Sequence, residues 1–117
     1  MIKALSFIAY YVRDVPRART FYGEILGLRP GEWFNDGWIE FELGNATFAL
    51  DGIGEELGIV PGTSSGAAFE VDDIHAMRQR LADAGSPVTE VYEFPPCWAC
   101  FARDPEGNRF VLHQRKL

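Results

Sequence analysis

The side chains of this chain that could do chemistry are few: His75 and His113, the pair Cys97-x-x-Cys100, and carboxylates that include Glu40 and Asp51. An imidazole titrates near neutral pH, so His113, set beside Val111 in an apolar strand pattern, could act as a general base if an acid such as Glu40 or Asp51 oriented it. His75 stands between Ile74 and Ala76 in what reads as the first turn of a helix and is expected to face solvent. The cysteine pair has the spacing of redox and metal motifs, yet it precedes a strand instead of opening a helix. On a strand, a three-residue offset sends side chains to opposite faces, which argues against a thioredoxin-like role. With only two cysteines, neither a disulfide scaffold nor a four-thiolate zinc site can form within one chain.

Charge narrows the partners. The net charge of −6 argues against nucleic acid, whose phosphates are met by clustered Lys and Arg. Between Arg29 and Arg78 there is no Lys or Arg, so that stretch carries −10 and the remainder +4. Such a field favours cationic ligands, although it also serves simply as a solvated surface. No apolar run approaches the ~20 residues that span a bilayer, and no signal-peptide pattern opens the chain, so no membrane partner and a cytoplasmic location are expected.

The elements that must position these residues come in two copies. Val12-Arg13-Asp14-Val15 ahead of one amphipathic helix is echoed 59 residues later by Val71-Asp72-Asp73-Ile74 ahead of another. In the first copy, residues 6–12 read as a strand. A helix follows with Asp14 as N-cap, Ala18, Phe21, Tyr22, Ile25 and Leu26 on one face, and Gly27 as its stop. Strands over 28–34, 37–43 and 46–51 complete it. The second copy predicts a strand over 66–71, a helix over 73–84, and strands over 88–93, 98–103 and 108–114, the last two joined by Asp104-Pro105-Glu106-Gly107. The order is βαβββ twice: an α+β single domain over 1–117, with modules at about 1–51 and 66–117 and a Gly-, Ser- and Pro-rich linker at 52–65. Each sheet then carries a helix on one face and leaves the other apolar, unless two modules curl around a shared cleft.

The motifs Val12-Arg13-Asp14, Phe21-Tyr22-x-x-Ile25-Leu26-Gly27-Leu28 and Asp104-Pro105-Glu106-Gly107-Asn108 resemble the vicinal oxygen chelate superfamily of glyoxalases, extradiol dioxygenases and bleomycin-resistance proteins. The resemblance covers nearly the whole chain and implies a paired-module fold around a cleft. It does not select among metal enzymes and metal-free binders. In the metal enzymes, His or Glu ligands converge from four strands. Carried over, those positions fall on Phe7, Ala49, Gly66 and Val111, none of which offers a donor. Offset by one residue, Ser6, Ile8, Phe48, Leu50, Ala67, Phe110 and Leu112 are also non-ligands or very poor ones. No metal and no cofactor are therefore expected.

If Phe7 faces the cleft, strand alternation puts Tyr11 and Arg13 beside it, with Trp38, Glu40, Ala49, Asp51, Ala68, Glu70, Ala99, Phe101, Arg103, Arg109, Val111 and His113 on the same side. Trp33, Phe34, Tyr92, Phe94 and Trp98 are expected nearby. The expected ligand-binding residues are Phe7, Tyr11, Trp38, Glu40, Asp51, Phe101, Val111 and His113, with no catalytic residue assigned. The chain then reads as a small-molecule binder of the bleomycin-resistance type, sequestering a planar or cationic organic ligand by stacking and cation–π contact. A homodimer and a drug-resistance role are implied by the resemblance. Two alternatives stay open: a metal-independent lyase or isomerase using His113, Glu40 or Tyr11, and an interaction module without a small-molecule ligand.

Overall fold

The computed structural model describes residues 1–117, the side chain of Phe34 excepted. Phe34, expected near the cleft, thus lies outside the described side chains. The order is β1 (Ile8–Tyr11), α1 (Val15–Thr20) running into a π-helical turn (Phe21–Ile25), β2 (Pro30–Asn35), β3 (Trp38–Glu42) and β4 (Thr47–Asp51), then a 3-10 turn (Gly54–Leu57). The second module holds β5 (Ala67–Glu70), α2 (Ile74–Asp83), β6 (Tyr92–Phe94), β7 (Cys97–Arg103) and β8 (Arg109–Arg115). They build two four-stranded sheets, ordered β1-β4-β3-β2 and β5-β8-β7-β6. Only β1/β4 and β5/β8 are parallel pairs, as a strand-helix crossover requires.

The repeat extends to the helix caps. Arg17 N–H donates to Asp14 and Ala76 N–H to Asp73, each at 3.1 Å, so the two aspartates occupy equivalent N-caps. Two expectations differ from the structure. The first helix leaves α geometry after Thr20, and Leu26 N–H donates to the Phe21 carbonyl at 3.0 Å, five residues back. The strand expected over 88–93 is reduced to a bridge between Val88 and Ala102 followed by β6. Its ladder breaks because Phe101 N–H donates at 3.0 Å to the Thr89 hydroxyl, which takes the place of a strand carbonyl.

Strand alternation turns Tyr10, Ile39, Phe41, Phe48 and Leu50 of one sheet, and Phe69, Cys100, Phe110 and Leu112 of the other, into one core with the helices. Rings from both modules meet there, Phe48 with Phe69 at 5.2 Å and Phe21 with Phe110 at 5.9 Å between centroids. Full burial stabilises by about 1.5–3 kcal/mol per Phe, so this shared core is the main bond between modules. Polar contacts fix its alignment. The Tyr10 hydroxyl accepts from Ala67 N–H at 2.9 Å and donates to the Arg109 carbonyl at 2.5 Å.

The turn between β7 and β8 forms a second clamp. Buried Asp104 accepts from the amides of Glu106 and Asn108, from the Asn108 side chain and from the Tyr22 hydroxyl. Glu106 accepts the amides of Arg13 and Asp14 at the entry to α1. Gly107, at φ +96, closes the turn in a conformation that residues with a Cβ rarely adopt. Among the described residues, no helix is long and apolar enough to cross a membrane.

Candidate functional site

Each sheet keeps its helix-free face outside the core, and the register sets what stands together on it. Tyr11 pairs with Asp51 across β1/β4, and at the equivalent place Glu70 pairs with His113 across β5/β8. Both ladders end alike, with Val12 N–H donating to the Asp51 carbonyl at 3.0 Å and Val71 N–H to the His113 carbonyl at 2.9 Å.

The N-terminal face gathers Phe7, Tyr11, Trp38, Glu40 and Asp51. Phe7 meets the Trp38 ring edge to face at 5.0 Å, and Trp38 Nε1–H donates to Glu40 at 2.8 Å. Glu40 stands opposite Ala49, and Ala49 opposite Ala9, so small residues form the floor between these walls. Tyr11 lies close over Gly54, where a Cβ would come within 2.4 Å of its ring. Asp51 is buried, and its carboxylate accepts the Ile53 amide at 2.8 Å. It shapes the turn after β4 as well as standing at the edge of the site.

The C-terminal face gathers Phe101, Val111 and His113. Phe101 pairs with Val111 across β7/β8 and packs against Tyr92 at 6.1 Å. A cavity of about 630 Å3 opens here, with Gly66, Pro87, Phe101 and Val111 among its lining. His113 Nδ1 lies 2.5 Å from Glu70, whose other oxygen accepts the Arg115 amide at 2.7 Å. Desolvation pushes the Glu70 carboxyl up, but the Arg115 amide and the bond and charge of His113 outweigh it and hold the group below its ordinary range. The acid beside His113 is thus Glu70, in place of the Glu40 or Asp51 expected from sequence, because both of those stand on the other sheet.

Residues 4–112 match the family described as the Glyoxalase/Bleomycin resistance protein/Dioxygenase superfamily. The chain belongs to this superfamily. Solved structures share its fold. TnmS3, an antibiotic binding protein from Streptomyces sp. CB03234, is 23% identical with a TM-score of 0.83, the match covering 98% of each chain. Lactoylglutathione lyase from Agrobacterium tumefaciens is 21% identical with a TM-score of 0.77, covering 97% of this chain and 95% of the other. A glyoxalase/bleomycin resistance protein from Streptomyces sp. CB03234 is 23% identical with a TM-score of 0.80, covering 95% of this chain and all of the other. No curated protein matches the chain significantly.

Metal enzymes of the superfamily need several donors converging at ~2 Å, and the residues at the corresponding places do not fit that need. Ala49 faces Ala9 and Glu40, while Val111 faces Ala68 and Phe101. Phe7 and Gly66 sit just ahead of β1 and β5. Of these neighbours only Glu40 carries a donor, and it is bonded to Trp38. Among the described residues, no group of three or more His, Cys, Asp or Glu is placed to hold an ion.

Cys97 and Cys100 are free and buried on opposite faces of β7, and burial pushes the Cys100 thiol up against the opposing pull of Arg78. His75 is exposed. A separate cavity of about 660 Å3 lies between the modules, with Phe48, Phe69 and Met77 in its lining, away from the expected ligand-binding residues. Sequence reading placed Glu70, Arg103 and Arg109 on the cleft side without singling them out. The signal was available for the arginines, which flank a turn of five residues and so must pair across it.

Proposed function

We propose that this protein binds a planar or cationic organic ligand and sequesters it without a metal, in the manner of bleomycin-resistance proteins. The observation that carries this reading is the character of the two outward sheet faces. Phe7 and Phe101 are 48% and 44% exposed, and they stand beside floors of small residues, Ala9 with Ala49 on one sheet and Ala68 with Val111 on the other. Large rings left open on a floor of small residues suit a flat molecule, held mainly by apolar burial at about 25 cal/mol per Å2. Glu40 adds an attraction for a positive group worth roughly 1 kcal/mol in a half-open site. The description of TnmS3 as an antibiotic binding protein supports sequestration of a drug-like molecule as the role.

The reading includes a homodimer. Phe7, Tyr11, Trp38, Glu40 and Asp51 stand on one sheet, and Phe101, Val111 and His113 on the other. Covering the N-terminal face of one chain with the C-terminal face of a second would close a cleft and bury the exposed rings. We place the protein in the cytoplasm, in keeping with two free thiols.

Native mass spectrometry and thermal melting with a panel of planar compounds, cationic, neutral and anionic, test this reading. A dimer, a raised melting temperature and recovery of the compound chemically unchanged are expected. A stoichiometric metal held in the cleft, or no shift with any compound, would overturn it.

The Glu70–His113 contact favours a second reading, a metal-independent lyase or isomerase. A carboxylate on Nδ1 orients the ring and leaves Nε2 to take a proton. Turnover abolished in His113→Ala but retaining ligand affinity would establish the enzyme over the binder.

A further inference from the structure

We propose that Arg103 and Arg109 form an anion subsite in the cavity of the C-terminal face, taking the carboxylate of a ligand whose apolar body lies along Phe101 and Val111. This rests on the ligand-binding reading above and, of its planar or cationic ligands, selects planar ones that bear an acid group.

The two arginines stand directly opposite each other across the β7/β8 hairpin, on the same face as Phe101 and Val111. Both are exposed, and both line the cavity of about 630 Å3. Like charges at directly opposed strand positions destabilise a sheet. In a chain of net charge −6, carboxylates are plentiful enough to neutralise such a pair. Yet the ion pairs among the described residues use Arg13, His113 and Lys116.

The nearest carboxylates in sequence are committed elsewhere. Asp104 is buried and saturated by Tyr22, Glu106 and Asn108. Glu106 is bound by the amides of Arg13 and Asp14. Glu90, beside Thr89 on the cavity wall, is exposed and enters none of the ion pairs.

Two arginines paired on one wall can offer guanidinium forks to the planar, two-oxygen edge of a carboxylate, and an anion between them would turn their repulsion into attraction. Pro87, Val88, Phe101 and Val111 make the rest of that cavity apolar, which selects an organic acid over a small inorganic ion.

Titration of the full chain with 2-naphthoate and its neutral isostere 2-naphthamide tests the subsite. The wild type should bind 2-naphthoate at least about tenfold more tightly than the amide, and the preference should shrink as salt rises. Arg103→Ala/Arg109→Ala should abolish the preference. Its ligand-free melting temperature should be no lower than that of the wild type, because a repulsion has been removed. Equal binding of the two compounds, or a preference surviving in the double variant, overturns the subsite and leaves the ligand-binding reading standing. So does a double variant that melts well below the wild type, which would assign the pair to folding. If neither compound binds, the subsite is also overturned, and the wider panel of planar compounds decides separately the reading on which it rests.

Discussion

The Tyr22 hydroxyl donates to Oδ2 of Asp104 at 2.8 Å, across 82 residues of chain. One partner belongs to the Phe21-Tyr22 motif of the first module and the other to the Asp104-Pro105-Glu106-Gly107-Asn108 turn of the second. Two of the three sequence motifs that carry the family resemblance are therefore halves of one buried contact. Their spacing serves the docking of modules, which explains why they mark the fold without marking a reaction.

Tyr22→Phe removes a hydrogen bond to a buried carboxylate while keeping the ring in the shared core. We expect a loss of about 1–2 kcal/mol in urea unfolding, with an unchanged slope. A loss below about 0.3 kcal/mol would mean that the amides of Glu106 and Asn108 suffice for Asp104.

Burial, together with the nearby Asp104 charge, raises the pKa of Tyr22 above its ordinary 10.0. Burial raises Tyr10 as well, against the pull of the Ala67 amide. A phenol held neutral in the folded state contributes stability that is complete below the unfolded value and lost as pH climbs above it. Stability should therefore hold through neutral pH and fall above 10.0. Tyr22→Phe should flatten that alkaline limb, and unfolding curves on either side of the limb would show whether it does.

Gly54→Ala would set a Cβ 2.4 Å from the Tyr11 ring and 2.9 Å from its Cβ, so Tyr11 must leave its place. We expect a destabilisation of about 1–3 kcal/mol together with weakened ligand binding. Normal binding by the variant, measured with the panel used for the wild type, would remove Tyr11 from the site.

The lowered pKa of Glu70 predicts a change on the acid side. Desolvation opposes the shift, but the Arg115 amide and His113 prevail, so the charged form is favoured on folding. That contribution is present above the unfolded value of 4.5 and lost as pH falls through the folded one. Glu70→Gln should accordingly lose less stability than the wild type between neutral pH and acid. Parallel acid limbs for the two proteins would show that the contact adds nothing to folding.

Much of the site was legible because a strand alternates. Once Phe7 is set on the outer face, the placement of Trp38 and Glu40 opposite buried Ile39 and Phe41 follows from period two, and the structure agrees. The first helix cap was legible for a similar reason, since Asp14 acts on an amide three residues away, whereas Asp73, read as the first residue of the second helix, proves to be its N-cap. The strand over 88–93 was misjudged because its fate lay with the Thr89 hydroxyl and Phe101, twelve residues on. The π-turn at Phe21–Ile25 was also missed, since spacings of three and four do not separate it from an α-helix.

The sequence by itself determined the two-copy organisation, the side of each strand that meets the core, and side chains without donor atoms at the four places that the family resemblance implies for metal ligands. Those properties are local: they depend on residue type, alternation and short-range caps. Tertiary structure alone decided that Glu70 partners His113, that the ion pairs among the described residues leave out Arg103 and Arg109, and that rings of both modules meet in one core. Such pairings join residues far apart in the chain, and they are chosen by strand register and by the burial of one aromatic core, which no single stretch of sequence contains.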